Sequence, residues 1–278
     1  MKTIYFQNNP ELQQKIKRIQ KGGVRSLHFV SDFDKTLTPA FVQGKSLPSS
    51  YALIREGKYL TPEYVSRAYA EYDKYHPYEV DHYLSLKEKS AKMVEWWEHH
   101  WQLMVECGIN KKVFEDIIQK GKIQLREGSV ELFSLLHEHT IPFLIFSSGL
   151  GNLIELFLKK NKFLTPNVHL LANFFTFDEN GIATGFKRPL IHVFNKNEYE
   201  LRDTPYYREV KQRRNVILLG DSLGDLGMIE GLQHDTIIRI GFLNEDKALL
   251  DHYLQVFDVV ITEDGPVEEV NRIIKAVL

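Results

Sequence analysis

Cysteine is almost absent from this chain of 278 residues, in which Cys107 is the only one. A single thiol rules out an intramolecular disulfide, and such sparing use is typical of a reducing compartment. No apolar run approaches the roughly 20 residues that span a bilayer. The first residues also lack the apolar core of a signal peptide. We therefore expect a cytoplasmic protein.

An excess of either charge is missing as well. The formal net charge is −2 at pH 7, so nothing indicates a general binder of nucleic-acid polymers or membrane surfaces. The sequence contains no internal repeat and no low-complexity segment. Its length suffices for one large domain, or for a core with a smaller inserted unit. We expect a monomer with neither nucleic acid nor membrane as a partner.

Short apolar runs of the kind found in buried strands are present, and helix-like segments separate the later ones. The predicted strands are 27–30, 141–146, 215–220, 236–242 and 256–262, and the predicted helices between them are 129–139, 150–161 and 224–232. The runs lack clear alternation, which is typical of parallel strands covered on both faces. This order predicts an α/β fold with a doubly wound parallel sheet. The segment before Leu27 is predicted to be a helix.

Residues 45–125 interrupt this pattern, because they contain no convincing strand and are rich in Tyr, Trp, His and Glu. One helix is predicted to start at Thr61. Another is predicted to start at Ser85, with Glu88 completing a capping box, and to stop at Gly108. We interpret 45–125 as a helical cap inserted into a core of 1–44 and 126–278. A smaller interruption, 173–186, contains "DENG" between two β-rich runs and predicts a β-hairpin.

Polar residues follow the predicted strands, where an open α/β sheet binds its ligands. They lie in "SDFDKT" (Asp32, Asp34), "SSGLGN" (Ser147, Ser148) and "GDSLGD" (Asp221, Asp225), and "FNKNE" (Lys196) lies between the second and third of these strands. Each motif alone is unspecific, but together they suit phosphoryl transfer. One carboxylate can attack phosphorus, and a second can protonate the leaving alkoxide and then deprotonate water. Mg²⁺ would offset the repulsion between carboxylates and phosphate.

These motifs together resemble the haloacid dehalogenase-like phosphohydrolases. The similarity is closer to one branch, the cytosolic pyrimidine 5′-nucleotidases, also called cytosolic 5′-nucleotidase III. It extends over nearly the whole chain and is carried by "HPYEVD", "KMVEWW", "IPFLIFSSGLGN", "GFKRPLIHVFNKNE" and "LLGDSLGDLGM". The resemblance implies a Mg²⁺-dependent hydrolase of nucleoside 5′-monophosphates that works through an aspartyl-phosphate.

Roles follow from the resemblance position by position. Asp32 matches the nucleophile and a metal ligand. Asp34 matches the general acid/base, with its backbone carbonyl as a further metal ligand. Lys196 matches the lysine that holds the nucleophile and the phosphate, and Asp221 matches the acidic metal ligand.

Supporting roles are implied in the same way. Ser147 and the backbone of Ser148 match the phosphate-binding turn, where the family often has Ser-Ala. Asp225 matches a second aspartate that acts in the outer shell or as a lysine partner. Thr36 either helps to organise the turn after the acid/base or is a simple turn residue.

Base recognition is assigned by the resemblance to the predicted cap. Glu79 matches a glutamate that contacts the nucleobase, and Trp97 is predicted to stack on it, with the other two tryptophans in packing roles. His100 stands where pyrimidine-preferring members carry serine. The double tryptophan in "MVEWW" is instead similar to the group that also hydrolyses N7-methylguanosine monophosphate, so the sequence leaves CMP, UMP and this nucleotide open.

Two other functions stay open from the sequence. One is another small-molecule phosphatase of the same superfamily, acting for example on phosphoserine. The other is a catalytically silent nucleotide-binding protein. For the nucleotidase, transfer of the phosphoryl group to a nucleoside is expected as a side activity.

Overall fold

The computed structural model describes residues 3–81, 83–196 and 204–278, and its centre is a seven-stranded sheet. The strands of this sheet are β1 (Ile4–Phe6), β2 (Leu27–Ser31), β5 (Phe143–Leu150), β6 (Val168–Asn173), β9 (Asn215–Gly220), β10 (Thr236–Leu243) and β11 (Val259–Thr262). Their spatial order is β1-β11-β10-β9-β2-β5-β6. Every neighbouring pair is parallel except β1 and β11. The carboxyl ends of β9, β2 and β5 therefore meet at one edge.

Both faces of the sheet are covered, as alternate residues of its central strands show. Phe29 and Ile217 belong to the larger apolar core, whereas Val30 and Leu218 belong to a second core on the other face. The covering helices are α1 (Asn9–Gly22), α6 (Ser129–Glu138), α7 (Gly151–Lys160), α8 (Pro205–Val210), α9 (Leu250–Val256) and α10 (Glu268–Val277). Burial on both faces explains why the strands appear as continuous apolar runs in the sequence.

Between β2 and β5, the described residues form four helices in addition to α6. They are α2 (Ser50–Glu56), α3 (Pro62–Val80), α4 (Leu86–Glu106) and α5 (Lys111–Gln119), and the short strands β3 (Phe41–Val42) and β4 (Lys45–Ser46) precede them. The hydroxyl of Thr61 caps α3, and Ser85 with Glu88 forms the predicted capping box of α4. Both helix starts are confirmed, while the division into cap and core stays a prediction.

The predicted fold class is confirmed, and so is the hairpin, which consists of β7 (Phe175–Phe177) and β8 (Ala183–Phe186). The sequence analysis missed β1, β6 and the β3–β4 pair. The strand predicted over 256–262 is wrong in its first residues, because α9 continues to Val256.

The α-helix predicted over 224–232 is also wrong, because residues Leu223–Ile229 form a 3₁₀-helix. Its two glycines disfavour an α-helix and allow a close approach to the neighbouring loop. A Cβ on Gly224 would lie 2.7 Å from the carbonyl oxygen of Val193, and one on Gly227 would lie 2.7 Å from that of Lys196. The segment is therefore packed backbone to backbone against the loop that carries Lys196.

Arg126 joins the segment that returns from α5 to the turn that follows β2. It is 2% exposed, and its guanidinium donates to the carbonyl oxygens of Lys35, Thr36 and Thr38 at 2.6–3.3 Å. It also pairs with Asp264 at 2.8 Å. These contacts hold Lys35 in the left-handed region, at φ 60°, which is a costly conformation for a residue with a side chain.

Among the described residues, no helix is both long enough and apolar enough to cross a membrane.

A buried histidine in β2 should make the stability of the fold depend on pH. His28 is fully buried, with Nδ1 2.8 Å from the hydroxyl of Tyr206 and Nε2 3.1 Å from Nε2 of His234. Burial, and then the nearby His234 and Arg213, hold the pKa of His28 well below its usual value. The neutral imidazole is therefore the folded form.

We expect the free energy of unfolding to decrease as the pH falls below about 6.5, because the unfolded chain protonates His28 and the folded protein does not. The slope due to this group approaches about 1.4 kcal/mol per pH unit. Urea unfolding of the wild type and of His28→Asn at about pH 7.5 and about pH 5.5 measures it. The variant should show the shallower pH dependence, and equal dependences would contradict this expectation.

Candidate active site

Three neighbouring strands bring the predicted site residues to one edge of the sheet. Asp32 follows β2 directly, Asp221 follows β9, and Ser147 lies near the end of β5. The order β9-β2-β5 places β2 in the middle. The backbone N–H of Asp32 still donates to the carbonyl of Leu219 at 3.1 Å, so the sheet itself fixes where this carboxylate starts.

Three carboxylates form a compact cluster there. One oxygen from each of Asp32, Asp221 and Asp225 lies within 4.8 Å of the others. Burial raises the pKa of Asp32 well above its usual value. Burial and the charge of Asp225 raise the pKa of Asp221 to about 7. Each added negative charge in this cluster is therefore disfavoured by the others.

Lys196 is the cation inside this cluster. Its side chain is 4% exposed, and Nζ donates to Oδ1 of Asp32 and, at 3.0 Å, to Oδ1 of Asp225. Burial disfavours its ammonium form, but the charges of Asp225 and Asp32 outweigh burial and raise the pKa of Lys196. The lysine is therefore a fixed positive charge beside Asp32.

The donor set fits a hard cation. Among the residues that the structure describes, three carboxylates against one bound lysine leave excess negative charge in a buried place. Carboxylate oxygens are the ligands that Mg²⁺ takes. Both carboxylate oxygens of Asp225 already accept hydrogen bonds, so neither is left to bind a metal ion. Its Oδ2 accepts the backbone N–H groups of Asp221 and Ser222 and the hydroxyl of Ser222 at 2.9–3.1 Å, and its Oδ1 accepts Lys196. Asp32 and Asp221 are the carboxylates left to bind a metal.

Two small contacts complete the Asp221 side of the site. The hydroxyl of Thr36 donates to Oδ1 of Asp221 at 3.2 Å. Gly220 precedes Asp221, and a Cβ there would lie only 2.5 Å from Cβ of Asp225. Glycine at this strand end therefore lets Asp225 fold back onto the turn.

Asp34 is held on the other side of β2. Its Oδ2 accepts the hydroxyl of Ser50 at 2.9 Å and the backbone N–H of Ser50 at 3.2 Å. Burial raises the pKa of Asp34, although the hydrogen bonds from Ser50 oppose this shift. Nothing in the sequence pattern singled out Ser50.

The last residues of β5, where its pairing with β6 becomes irregular, are also tightly packed. The hydroxyl oxygen of Ser147 accepts the N–H of Gly149 at 3.0 Å. A Cβ on Gly149 would lie 2.4 Å from Oγ of Ser50 and 3.1 Å from Oδ2 of Asp34. The carbonyl of Ser148 accepts the hydroxyl of Tyr51 at 2.9 Å. The absence of a side chain at residue 149 therefore allows the end of β5 to approach Asp34.

A cavity of about 370 Å³ unites these groups. It is lined by ten of the predicted residues: Asp32, Asp34, Glu79, Trp97, His100, Ser147, Ser148, Lys196, Asp221 and Asp225. The eleventh, Thr36, lies behind Asp221. Residues from the sheet edge and from α3 and α4 thus face one space.

Aromatic side chains dominate the part of the cavity formed by α4. Trp101 is fully buried against Phe175, with ring centroids 4.1 Å apart, and Trp96 is 8% exposed and stacks on Tyr75. Trp97 is less buried as a residue, although its Nε1 is itself inaccessible. The ring of Trp97 is therefore the part that is available to a ligand in the cavity.

His100 and Glu79 are each joined to a neighbour in α3. Nδ1 of His100 lies 3.0 Å from Oε2 of Glu71, and Oε2 of Glu79 lies 3.1 Å from Nδ1 of His76. The sequence analysis missed Glu71, because a single glutamate on an amphipathic helix carries no local signal. The sequence points to a contact between Glu71 and His100 only in that α3 and α4 are consecutive helices, which are expected to pack together.

Comparison with known proteins agrees with this geometry. A family model described as pyrimidine 5′-nucleotidase (UMPH-1) matches residues 35–278. The chain is 38% identical to 7-methylguanosine phosphate-specific 5′-nucleotidase A of Xenopus laevis over 277 residues, 99% of this chain and 96% of that protein. The human 7-methylguanosine phosphate-specific 5′-nucleotidase is 34% identical over 278 residues, 99% of this chain and 93% of the relative. The chain belongs to the pyrimidine 5′-nucleotidase family.

Solved structures extend the comparison. The crystal structure of cytosolic 5′-nucleotidase IIIB bound to cytidine aligns with a TM-score of 0.89 at 30% identity, covering 100% of this chain and 94% of that one. A phosphoserine phosphohydrolase-like protein from Francisella tularensis has a TM-score of 0.52 at 17% identity, covering 88% of this chain and 98% of that one, and shows the fold alone. The predicted pyrimidine 5′-nucleotidase family, α/β haloacid dehalogenase-like fold and 5′-nucleotidase enzyme class are therefore confirmed.

Proposed function

We propose that this protein is a Mg²⁺-dependent 5′-nucleotidase that hydrolyses nucleoside 5′-monophosphates through a phosphorylated Asp32. One observation carries the proposal. The buried Asp32, bonded to the buried Lys196, lines the same cavity as Trp97 and Glu79. A single ligand with a phosphate at one end and a flat, hydrogen-bonding base at the other would contact all four.

The chain supplies the groups for both half-reactions. Asp32 attacks phosphorus, and a bond from its carboxylate oxygen to phosphorus forms as the bond from phosphorus to O5′ breaks. Asp34 gives its proton to O5′ and then removes one from the water that cleaves the aspartyl-phosphate. Lys196 holds Asp32 in place and offsets charge on the phosphoryl oxygens. Ser147 and the backbone of Ser148 bind those oxygens.

The metal belongs to the same proposal. Asp32, Asp221 and the backbone carbonyl of Asp34 would hold Mg²⁺, with Asp225 and Thr36 keeping the Asp221 turn in shape. When bound, Mg²⁺ offsets the negative charge of phosphate and carboxylates and helps to orient the substrate.

For the base, we propose N7-methylguanosine monophosphate as the preferred substrate and cytidine or uridine monophosphate as further ones. Relatives with 31–38% identity are named for 7-methylguanosine phosphate. N7-methylguanine carries a delocalised positive charge, which favours contact with an aromatic ring such as Trp97 and with the carboxylate of Glu79.

Phosphate release from a panel of nucleotides tests the proposal. The panel is CMP, UMP, dTMP, AMP, GMP and N7-methylguanosine monophosphate, with phosphoserine as a non-nucleotide, each with Mg²⁺ and with a chelator. We expect at least about tenfold preference for the favoured nucleotide over phosphoserine, and loss of turnover with the chelator. Strong preference for phosphoserine would instead support a different small-molecule phosphatase. Nucleotide binding without any turnover would support a silent binding protein.

His100→Ser is the matched variant for base preference, because it changes the cavity wall without touching the carboxylate cluster. We expect the ratio of kcat/KM for CMP to that for N7-methylguanosine monophosphate to rise by about tenfold or more. An unchanged ratio would remove His100 from base selection. Adding free nucleosides as acceptors during this assay would detect the expected phosphotransferase side activity.

Three further parts of the proposal concern the whole chain. We infer a cytoplasmic enzyme, supported by the 34% identical relative from Caenorhabditis elegans that is named putative cytosolic 5′-nucleotidase 3. We infer a monomer. We also infer that residues 45–125 act as a cap on the core of 1–44 and 126–278, supported by the cavity lying between the sheet edge and α3–α4.

A further inference from the structure

The N-terminus of α2 contacts the proposed acid/base directly. Ser50 is 1% exposed, and both its hydroxyl and its backbone N–H donate to Oδ2 of Asp34, at 2.9 Å and 3.2 Å. No partner for Oδ1 of Asp34 is found in the described parts of the chain. One oxygen of this carboxylate is thus held by two donors, while the other remains available.

Ser50 is also anchored to the last residue of β5. Oγ of Ser50 accepts the N–H of Leu150 at 3.2 Å while it donates to Asp34. Its neighbour Tyr51 donates to the carbonyl of Ser148 and accepts Nε1–H of Trp101 at 2.7 Å. The Ser50 hydroxyl has therefore one defined donor direction, and it points at Asp34.

We propose that Ser50 is a positioning residue for Asp34, which determines which carboxylate oxygen carries the catalytic proton. This inference rests on the proposed function. Because Oδ2 accepts two hydrogen bonds, it is the oxygen without a proton, so Oδ1 is the oxygen that bears it. In the first step the Oδ1–H bond breaks and the proton goes to O5′, as the O5′–P bond breaks and the Asp32–P bond forms. In the second step the water oxygen bonds to phosphorus as the Asp32–P bond breaks, and a proton of that water goes to Oδ1.

The orientation of the acid catalyst would then depend on a residue outside the sheet. Asp34 comes from the turn after β2, but its orientation comes from α2, in the helical segment between β2 and β5. Loss of the Ser50 hydroxyl should therefore slow proton donation to the leaving group while leaving Asp32 and Lys196 in place.

A pair of substrates separates this role from a general disturbance. The O5′ alkoxide of a nucleotide needs a proton in order to leave, whereas the phenolate of p-nitrophenyl phosphate does not. With Ser50→Ala and Mg²⁺, we expect kcat for the favoured nucleotide to fall by about tenfold to a hundredfold, with KM nearly unchanged. Formation of the phosphoenzyme from p-nitrophenyl phosphate, measured in a single turnover, should change by less than about threefold.

Ser49→Ala is the matched control, one residue away. Ser49 caps α2 by accepting the N–H of Ala52 at 3.4 Å, and it borders the cavity without a hydrogen bond to Asp34 among the described residues. Its loss weakens the helix start by about 1 kcal/mol, so any effect on activity should be the same for both substrates. In an Asp34→Asn background, adding Ser50→Ala should not change the ratio of the two activities further, because Ser50 acts through Asp34.

The outcomes distinguish the two claims. Equal losses with both substrates in Ser50→Ala, while the wild type hydrolyses the nucleotide, would overturn the role of Ser50 and leave the proposed function standing. A further change of the ratio in the Asp34→Asn background would overturn it too. If the wild type releases phosphate from no nucleotide, the proposed function fails and this role fails with it.

Discussion

Asp32→Asn should abolish hydrolysis of the favoured nucleotide, with a fall in kcat of at least about 10⁴-fold. The amide has nearly the size of the carboxylate but is not a nucleophile, so no aspartyl-phosphate can form. Rapid acid quench with substrate labelled in the phosphate should trap a phosphoenzyme in the wild type and none in the variant. Circular dichroism checks that the fold is retained.

The control for this variant is another buried aspartate that is bonded to a lysine. Asp258 is 6% exposed and pairs with Lys15 at 2.5 Å, outside the cavity that holds Asp32. Asp258→Asn should lower stability without lowering kcat. Turnover by Asp32→Asn at the wild-type rate would refute the covalent mechanism, whatever the substrate.

Lys196→Met should be the second most damaging change, because it removes the buried cation between Asp32 and Asp225. Breaking such a pair from one side typically costs about 3–5 kcal/mol of stability, since the remaining charges stay buried. Loss of the charge beside the phosphoryl group should lower kcat by about 10²- to 10³-fold. Urea unfolding and the phosphate-release assay measure the two effects separately.

Lys35→Met is the matched comparison. Lys35 directly follows Asp34, but its Nζ pairs with Glu245 at 2.7 Å, and the two side chains are 35% and 55% exposed. An exposed pair of this kind is worth about 1 kcal/mol or less, so stability should change little. Equal damage from the two lysine variants would contradict the assignment of Lys196 as the lysine of the site.

The carboxylate positions were predictable from the sequence because strand order restricts them strongly. Asp32 and Asp221 each follow an apolar run, and parallel strands end at a common edge, so their convergence needed no knowledge of the loops. Lys196 was different. It does not directly follow a strand, and the family resemblance was needed to assign its role, since its place depends on a loop packed against Gly224 and Gly227.

Other features gave weaker signals for identifiable physical reasons. β1 has three residues, and β6 contains His169 and ends at Asn173, so neither forms a long apolar run. Ser50 appears in the sequence as one of two serines before a helix, where either could be a simple cap. Ser50 is distinguished by its hydrogen bond to Asp34. The β3–β4 pair lies between these two residues, and their spacing in the sequence does not predict that they meet.

The hydrogen bonds of Arg126 restrict where segments can be exchanged between related proteins. Its guanidinium is bonded to the turn that follows β2, and its partner Asp264 accepts the N–H groups of Ala40 and Phe41 at 2.7 and 2.9 Å. The segment that leaves β2 and the segment that returns before α6 are thus joined by one buried cluster of hydrogen bonds. In a chimera that exchanges the intervening segment between relatives, the splice points should lie on the far side of this cluster from the sheet. New specificity can then be introduced while the turn that carries the aspartates keeps its shape.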